Sequence, residues 1–455
     1  MTTRKKNLGS RLSRRDFLKA TAGVAGGVAA SSLLPASLVA AQDAVTLDYW
    51  SVAWGGAAEV ANSFAEAYQT AGGRSDVTVN FSQFPGDRLP ERILLALLAN
   101  GGPHFFNQND VEWTKYTYTG AADPLPLDIF GVDSYDGLNQ YYKPGIVDLM
   151  QSASPDGQIR VLNETGTVYA FVYNATAFDD AGIPRPSPTE PMTWEEWGEA
   201  AAELTIWDGD RLVRSGYAAR MEAPFWKEAF QNHFTTLVRQ AGGEVLSADG
   251  SEATFASEEA VAGFQYYVDF FKKYNTITPG FVTDPFGDFQ AGRIVSLLSF
   301  PAFYATMLNR DLDFEVAVAP WPVVAGGKRI TAGSFAGWIV NPNKPDDERA
   351  ETWKFLAWML MNPNDAMGVE VGKYGTAITW PNQWHDDFIA ADDNWRPFYE
   401  TQQYAVPALL HPRALEVKDQ VMSAISNMIL GDVSVADALA AAKVNVDAIL
   451  AQPGI

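Results

Sequence analysis

The sequence predicts an α/β protein built as two lobes, each a mainly parallel sheet flanked by helices. Three observations lead there. From residue 45 the strand and helix patterns alternate as β-α-β-α-β, which implies parallel pairing with right-handed crossovers. Near Asp156-Gly157 the character of the chain changes. Much later, around Gly333–Gly337, a return strand comes back towards the first part. The length agrees, because 455 residues are too many for one compact core and suit two.

The chain opens on an address rather than a fold element. Ser13-Arg14-Arg15-Asp16-Phe17-Leu18-Lys19 follows a basic start (Arg4, Lys5, Lys6, Arg11) and precedes a weakly apolar run from Ala20 to Ala41. This is the pattern of a twin-arginine signal peptide over residues 1–41, ending on the small residues Val39-Ala40-Ala41. The mature chain is expected from Gln42. An uncleaved membrane anchor competes with this reading; the run is long enough for one but poor in Leu, Ile and Phe.

Val45–Trp50 reads as a strand, Ser51–Gly56 as a loop and Ala57–Tyr68 as a helix with Val60, Phe64 and Ala67 on one face. Val77, Val79 and Phe81 alternate as a second strand. Arg88–Asn100 is a helix stopped by Gly101-Gly102, and Phe105-Phe106 begins a third strand. Ligands of parallel sheets sit at the carboxyl ends of the strands, which nominates the loops 51–56, 83–87 and 107–113. After Asp156-Gly157 comes the strand Val168–Asn174. Thr193-Trp194-Glu195-Glu196 then forms a capping box. Further helices are expected over Glu258–Tyr274 with Ser257 as cap, over Asp347–Met361, and over Val435–Leu450 with Ser434 as cap.

Composition narrows the class. Removing the signal's seven Lys/Arg and one Asp takes the formal charge from −22 to −28. So acidic a surface repels nucleic acid and anionic lipid. With no cysteine there is no disulfide, no thiolate metal site, no Cys nucleophile and no lipid-anchor cysteine. No second membrane span follows Ala41. The four histidines, His104, His233, His385 and His411, have no metal-ligand spacing, so no metal or cofactor is expected. Most of the 14 Trp, 17 Tyr and 26 Phe must be core, and a surplus of Trp is also what a carbohydrate-stacking cleft would need.

Five segments, taken in order, resemble the extracellular solute-binding proteins of carbohydrate ABC importers, the family (family 1) that includes the maltose-binding protein. They are Asp156-Gly157-Gln158-Ile159; Tyr173-Asn174-Ala175-Thr176-Ala177-Phe178; Ala181-Gly182-Ile183-Pro184; Thr193-Trp194-Glu195-Glu196-Trp197; and Phe289-Gln290-Ala291-Gly292-Arg293-Ile294. The chain departs from the family pattern at Pro103-His104, at Phe300-Pro301-Ala302-Phe303 and at Val161-Leu162-Asn163. The resemblance implies a two-lobed periplasmic-binding-protein fold with a ligand cleft between the lobes. The first lobe is expected over residues 43–164 plus 320–368 and the second over 170–318 plus 375–455. Hinges are expected near 164–169, 317–320 and 369–376.

The resemblance also nominates ligand-binding residues. Asn109, Asp110 and Trp113 stand where the family has a hydroxyl-binding acid and an aromatic; a helix N-cap with a core Trp would explain them equally. Glu222 with Phe225 and Trp226 resembles the acid-plus-aromatic loop of the second lobe, against helix capping and core. Phe303 and Tyr304 stand at the family's stacking Trp. Trp54 closes the first strand loop, as a binding or a merely packing residue. Glu164 and Thr165 lie in the first inter-lobe crossing, in the cleft or in a solvated hinge. Ser334 and Phe335 are placed on the return strand, and Arg413 is a weaker candidate against a surface ion pair. The implied function is the substrate-binding component of an ABC importer. It would capture a sugar or oligosaccharide outside the membrane and deliver it to the permease, acting as a monomer with no catalysis. Two alternatives remain: a polyamine- or ferric-ion-binding protein of such an importer, and an exported glycoside-active enzyme. The acid pairs Glu195-Glu196 and Asp179-Asp180 are better read as capping and solvated charge.

Overall fold

The computed structural model describes residues 44–86, 88–219 and 227–452. The expected signal peptide and the candidates Glu222, Phe225 and Trp226 lie outside the described residues. The first sheet grows from the alternating run. It begins with β1 (Val45–Val52), α1 (Ala57–Thr70), β2 (Val77–Phe84), α2 (Leu89–Leu98) and β3 (Phe105–Asn109). β1 runs parallel to both neighbours, with Val45 beside Val77 and Tyr49 beside Phe105. The apolar stripe of α1, Val60, Ala61 and Phe64, is buried as its spacing predicts. α3 (Asp110–Thr117) leaves β3 directly, so its first turn points along the strand's carboxyl end.

The chain then crosses from one sheet to another. β4 (Leu162–Val168) belongs to the first sheet, and β5 (Ala170–Asn174), one residue later, starts the second. α4 (Trp194–Leu204) begins on the expected capping box, in which Thr193 accepts from the Glu196 amide and Glu196 reaches back to the Thr193 amide. A small hairpin, β6 (Ile206–Asp208) and β7 (Arg211–Arg214), precedes α5 (Glu258–Lys272), which Ser257 caps. β8 (Ser296–Ser299), α6 (Pro301–Leu308) and β9 (Val316–Ala319) complete the second layer. β5 pairs antiparallel with both β8 and β9. This three-stranded sheet therefore differs from the parallel one expected: β8 and β9, joined through α6, run the same way, but β5 lies between them in the opposite direction.

β10 (Thr331–Val340) returns to the first sheet and inserts antiparallel between β3 and β4. The register slips at Ala336/Gly337, where a Cβ on Gly337 would stand 2.7 Å from the Leu162 carbonyl oxygen. No larger residue fits that approach. α7 (Asp346–Met361), α8 (Gly368–Tyr374), β11 (Ala405–Val406), α9 (Ala414–Leu430) and α10 (Val435–Leu450) close the chain.

Two cores result. One gathers Tyr49, Phe64, Phe105, Trp113, Trp338 and Trp353 around the first sheet. The other gathers Phe171, Trp194, Trp197, Phe234, Phe264 and Tyr267 around the second. Most of the abundant aromatics are spent here. Two assignments differ from the sequence reading. Trp321 and Val324, expected past the second hinge, pack in the second core. Ile378 and Trp380, expected in the second lobe, pack in the first core, and Ala405 and Leu410 lie against it. The chain stays with the second core until β10 begins at Thr331, and the return of β10 then brings Ile378 and Trp380 to the first core.

Candidate functional site

A cavity of about 330 Å³ opens at the carboxyl ends of β1 and β3, where the topology places a ligand site. From the first sheet it is lined by Tyr49, Ser51 and Val52 of β1, Phe81 of β2, Asn107 and Asn109 of β3, Glu164, Thr165 and Thr167 of β4, and Ser334 and Ala336 of β10. Trp54 and the apolar face of α1 close one side. Tyr169, Phe300, Pro301 and Ala302 form the wall on the side of the second sheet, and Glu370 of α8 and Thr376 complete it.

Trp54 is held over the site by a missing side chain. A Cβ on Gly56 would stand 2.3 Å from the indole. The ring is 40% exposed and meets Tyr374 edge-on. Across the cavity Tyr169 and Phe300 also meet edge-on, with centroids 6.3 Å apart. Apolar ring faces thus flank a polar floor.

Glu164 and Glu370 dominate that floor. They are 5% and 6% exposed. Asn107 donates to Glu164 Oε2 at 2.5 Å. Glu164 and Glu370 are in direct hydrogen-bonding contact. Burial first, and then the charge of Glu370, drives the Glu164 carboxyl well above the usual carboxylate range, against the pull of Asn107. Burial likewise pushes Glu370 up to about 7. Two carboxyls in contact in a dry site do not both ionise, so the pair holds a proton at neutral pH. Tyr49 beside them is raised as well, by burial and then by the Glu164 charge. The backbone bearing Glu164 is tightly fixed. Tyr142 donates to the Asn163 carbonyl at 2.8 Å, the Thr379 amide donates to the Glu164 carbonyl at 3.1 Å, and Gln402 donates to the Gly166 carbonyl at 2.8 Å.

Of the residues nominated from the sequence, Trp54, Asn109, Glu164, Thr165 and Ser334 meet at this cavity. Six others do not line it. Asp110 is fully buried on the first turn of α3, and its Oδ2 accepts from the Ala408 amide at 2.8 Å, tying down a distant segment. Trp113 is core, its indole donating to the Gln108 carbonyl. Phe303 stacks on Phe286 with centroids 4.5 Å apart, and Tyr304 donates to Asp392. Phe335 packs in the first core beside Gly166. Arg413 takes the surface fate, with Glu416 at 3.6 Å and Gln452. Helix geometry explains Phe303 and Tyr304: the cleft faces the start of α6, where Phe300, Pro301 and Ala302 sit, and the next turn rotates inward. The departure at Phe300-Pro301-Ala302-Phe303 marked the right segment, and the nominated Phe303 and Tyr304 lie just past the three residues that line the cavity. Glu370 carried no signal in the sequence, because one acid in a helix has no distinctive spacing. Among the described residues no group of three His, Asp or Glu is gathered that could hold a metal ion. No described helix is long and apolar enough to cross a membrane.

Residues 56–366 match the sequence profile described as bacterial extracellular solute-binding protein. The chain belongs to that family. As an extracellular solute-binding protein it shares its two-lobed fold with many solved structures. One is an ABC substrate-binding protein of Listeria monocytogenes in complex with cycloalternan, at TM-score 0.74 and 17% identity, covering 90% of this chain and 100% of that one. A second is a solute-binding protein of Thermotoga lettingae bound with alpha-D-tagatose, at TM-score 0.70 and 20% identity, covering 89% and 99%. A third is UgpB of Mycobacterium tuberculosis in complex with glycerophosphocholine, at TM-score 0.72 and 16% identity, covering 89% and 98%. No curated protein sequence matches this solute-binding protein.

Proposed function

We propose that this protein is the substrate-binding component of an ABC importer and captures a sugar or short oligosaccharide in the cleft. The observation that carries the reading is the pairing of wall and floor. Trp54, Tyr169 and Phe300 offer apolar faces for the C–H surface of a sugar ring. Asn107, Asn109, Glu164, Thr165 and Ser334 offer donors and acceptors for its hydroxyls. A cavity of about 330 Å³ lies at the small end of ligand sites, which favours one or two rings over a long chain. Relatives in complex with tagatose and cycloalternan support the class.

The twin-arginine pattern supports export to the periplasm or the outer face of the membrane, where a monomer would meet its permease. The three places where the chain passes between the sheets, around 168–170, 324–331 and 374–395, are the candidate hinges. An enzymatic reading finds less support. Glycosidase carboxyls stand about 5–5.5 Å or about 6.5–9.5 Å apart to admit a sugar carbon or a water, whereas Glu164 and Glu370 hydrogen-bond to each other. The test is thermal unfolding with a panel of mono- and oligosaccharides. A true ligand at a hundredfold excess over Kd adds about 2.7 kcal/mol of stability. Silence across the saccharides with a shift from a ferric salt, or shortened products in the incubation, would overturn the proposal.

A further inference from the structure

Among the described residues no cation stands beside Glu164 and Glu370. No Lys, Arg or His is among the described residues that line the cavity. The titratable groups facing the pair are Tyr49 of β1 and Tyr142, and burial holds both as neutral phenols. Asn107 serves one oxygen of Glu164. Glu370 Oε2 is buried and accepts from no donor among the described residues. Two neighbouring carboxyls can hydrogen-bond to each other only while one of them keeps a proton.

Such a pair is unusual for a site that binds only neutral hydroxyls. A hydroxyl brings one donor and no charge, and leaves a buried, half-ionised pair much as it was. An ammonium brings three donors and the missing positive charge, and so satisfies both carboxylates at once. We propose that the Glu164–Glu370 pair is a cation subsite that takes the ammonium of an amino sugar in exchange for the shared proton. This deepens the proposed sugar capture and rests on it. On binding, the proton leaves to solvent, the ammonium sits between the two carboxylates, and the ring lies against Trp54 and Phe300. The acidity of the whole chain would draw a cationic solute towards the cleft.

The probes are neutral mono- and disaccharides, their 2-amino-2-deoxy counterparts and the N-acetylated forms, titrated calorimetrically into the full protein at pH 5.5 and pH 7. Putrescine and spermidine serve as ring-free amines. The amino sugar is expected to bind at least tenfold tighter than its neutral and N-acetylated counterparts at pH 7. Its affinity should fall at pH 5.5, where protons compete, and its heat should depend on the buffer's ionisation because a proton is released. Glu370→Gln, checked by circular dichroism to be folded without ligand at both pH values, should erase the preference; Glu164→Gln provides the same reading if the first variant does not fold. Equal or tighter binding of the neutral sugar overturns the cation subsite and leaves sugar capture standing. Tight binding of putrescine or spermidine without the amino sugar overturns the amino sugar as ligand. Failure of every saccharide overturns both proposals.

Discussion

The indole of Trp54 meets the ring of Tyr374 edge-on, with centroids 5.0 Å apart and planes at 86°. This contact joins the loop after β1 to the end of α8, two segments far apart in sequence. Tyr374 is itself anchored, its hydroxyl donating to Glu59 of α1 at 2.8 Å. Trp54 thus lies on a fixed support while much of its surface stays open to a ligand. Trp54→Ala is expected to weaken ligand binding by about 2- to 12-fold, the worth of an aromatic contact of about 0.5–1.5 kcal/mol. Calorimetry checks this. The unfolding temperature without ligand should barely move, because the ring is only half buried.

Asp110 and Phe303 predict the reverse pattern. Asp110→Ala releases the Ala408 amide inside the protein, which costs about 1–3 kcal/mol. Phe303→Ala opens a hole beside Phe286 and Phe289, at about 3–5 kcal/mol. Both variants should unfold at lower denaturant concentration and, where folded, bind ligand with little change in affinity. A loss of affinity with unchanged stability would place them in the site after all.

Those two residues also show where sequence reasoning stopped. The β-α-β-α-β run, the capping box at Thr193 and the caps at Ser257 and Ser434 were legible because each is a local pattern with a local cause. The position of the cleft was legible too, since strand order and direction dictate it. Which side chains at the end of a strand face outward was not. Asn109 and Asp110 are neighbours, yet one lines the cavity and the other is buried in the first turn of α3, and that difference depends on the register between β3 and β10. Glu370 meets Glu164 across roughly half the chain. Only the return of β10 and α8 to the first sheet brings them together.

The carboxyl pair gives stability an unusual dependence on pH. Both folded-state values are raised above the unfolded carboxylate value, so the native state holds protons that the unfolded chain has lost. The stabilisation is complete below the unfolded value, near pH 4.5, and fades as pH climbs towards the folded value of Glu370, about 7. Other groups oppose this on the acid side. Burial, aided by Lys143, lowers His385 to about 3, and the Arg160 hydrogen bond lowers Asp156 to about 2, so these groups lose stability as pH falls. The difference between wild type and Glu370→Gln isolates the pair. Measured by denaturant unfolding without ligand from pH 4.5 to 7.5, wild type should lose stability relative to the variant as pH rises. A flat difference would mean that the two carboxyls do not share a proton.

Closure follows from where the walls come from. Glu164, Asn107 and Trp54 belong to the first sheet and its loops, whereas Phe300, Pro301 and Ala302 stand at the start of α6, just after β8 of the second. Tyr169 occupies the single residue between β4 and β5, on the crossing itself. A ligand touching both walls binds the closed form better than the open one, and only that difference in affinity can drive closure. Saturating ligand should therefore shrink the radius of gyration measured by small-angle scattering. Phe300→Ala keeps every contact of the first wall and removes one from the second. It should bind about 2- to 12-fold more weakly, by the same aromatic worth as Trp54, and show less compaction at equal ligand excess. Trp54→Ala serves as the control, since at saturation it keeps the second wall and should compact more fully than Phe300→Ala. An unchanged radius in saturated wild type would mean that the cleft takes its ligand as a rigid body.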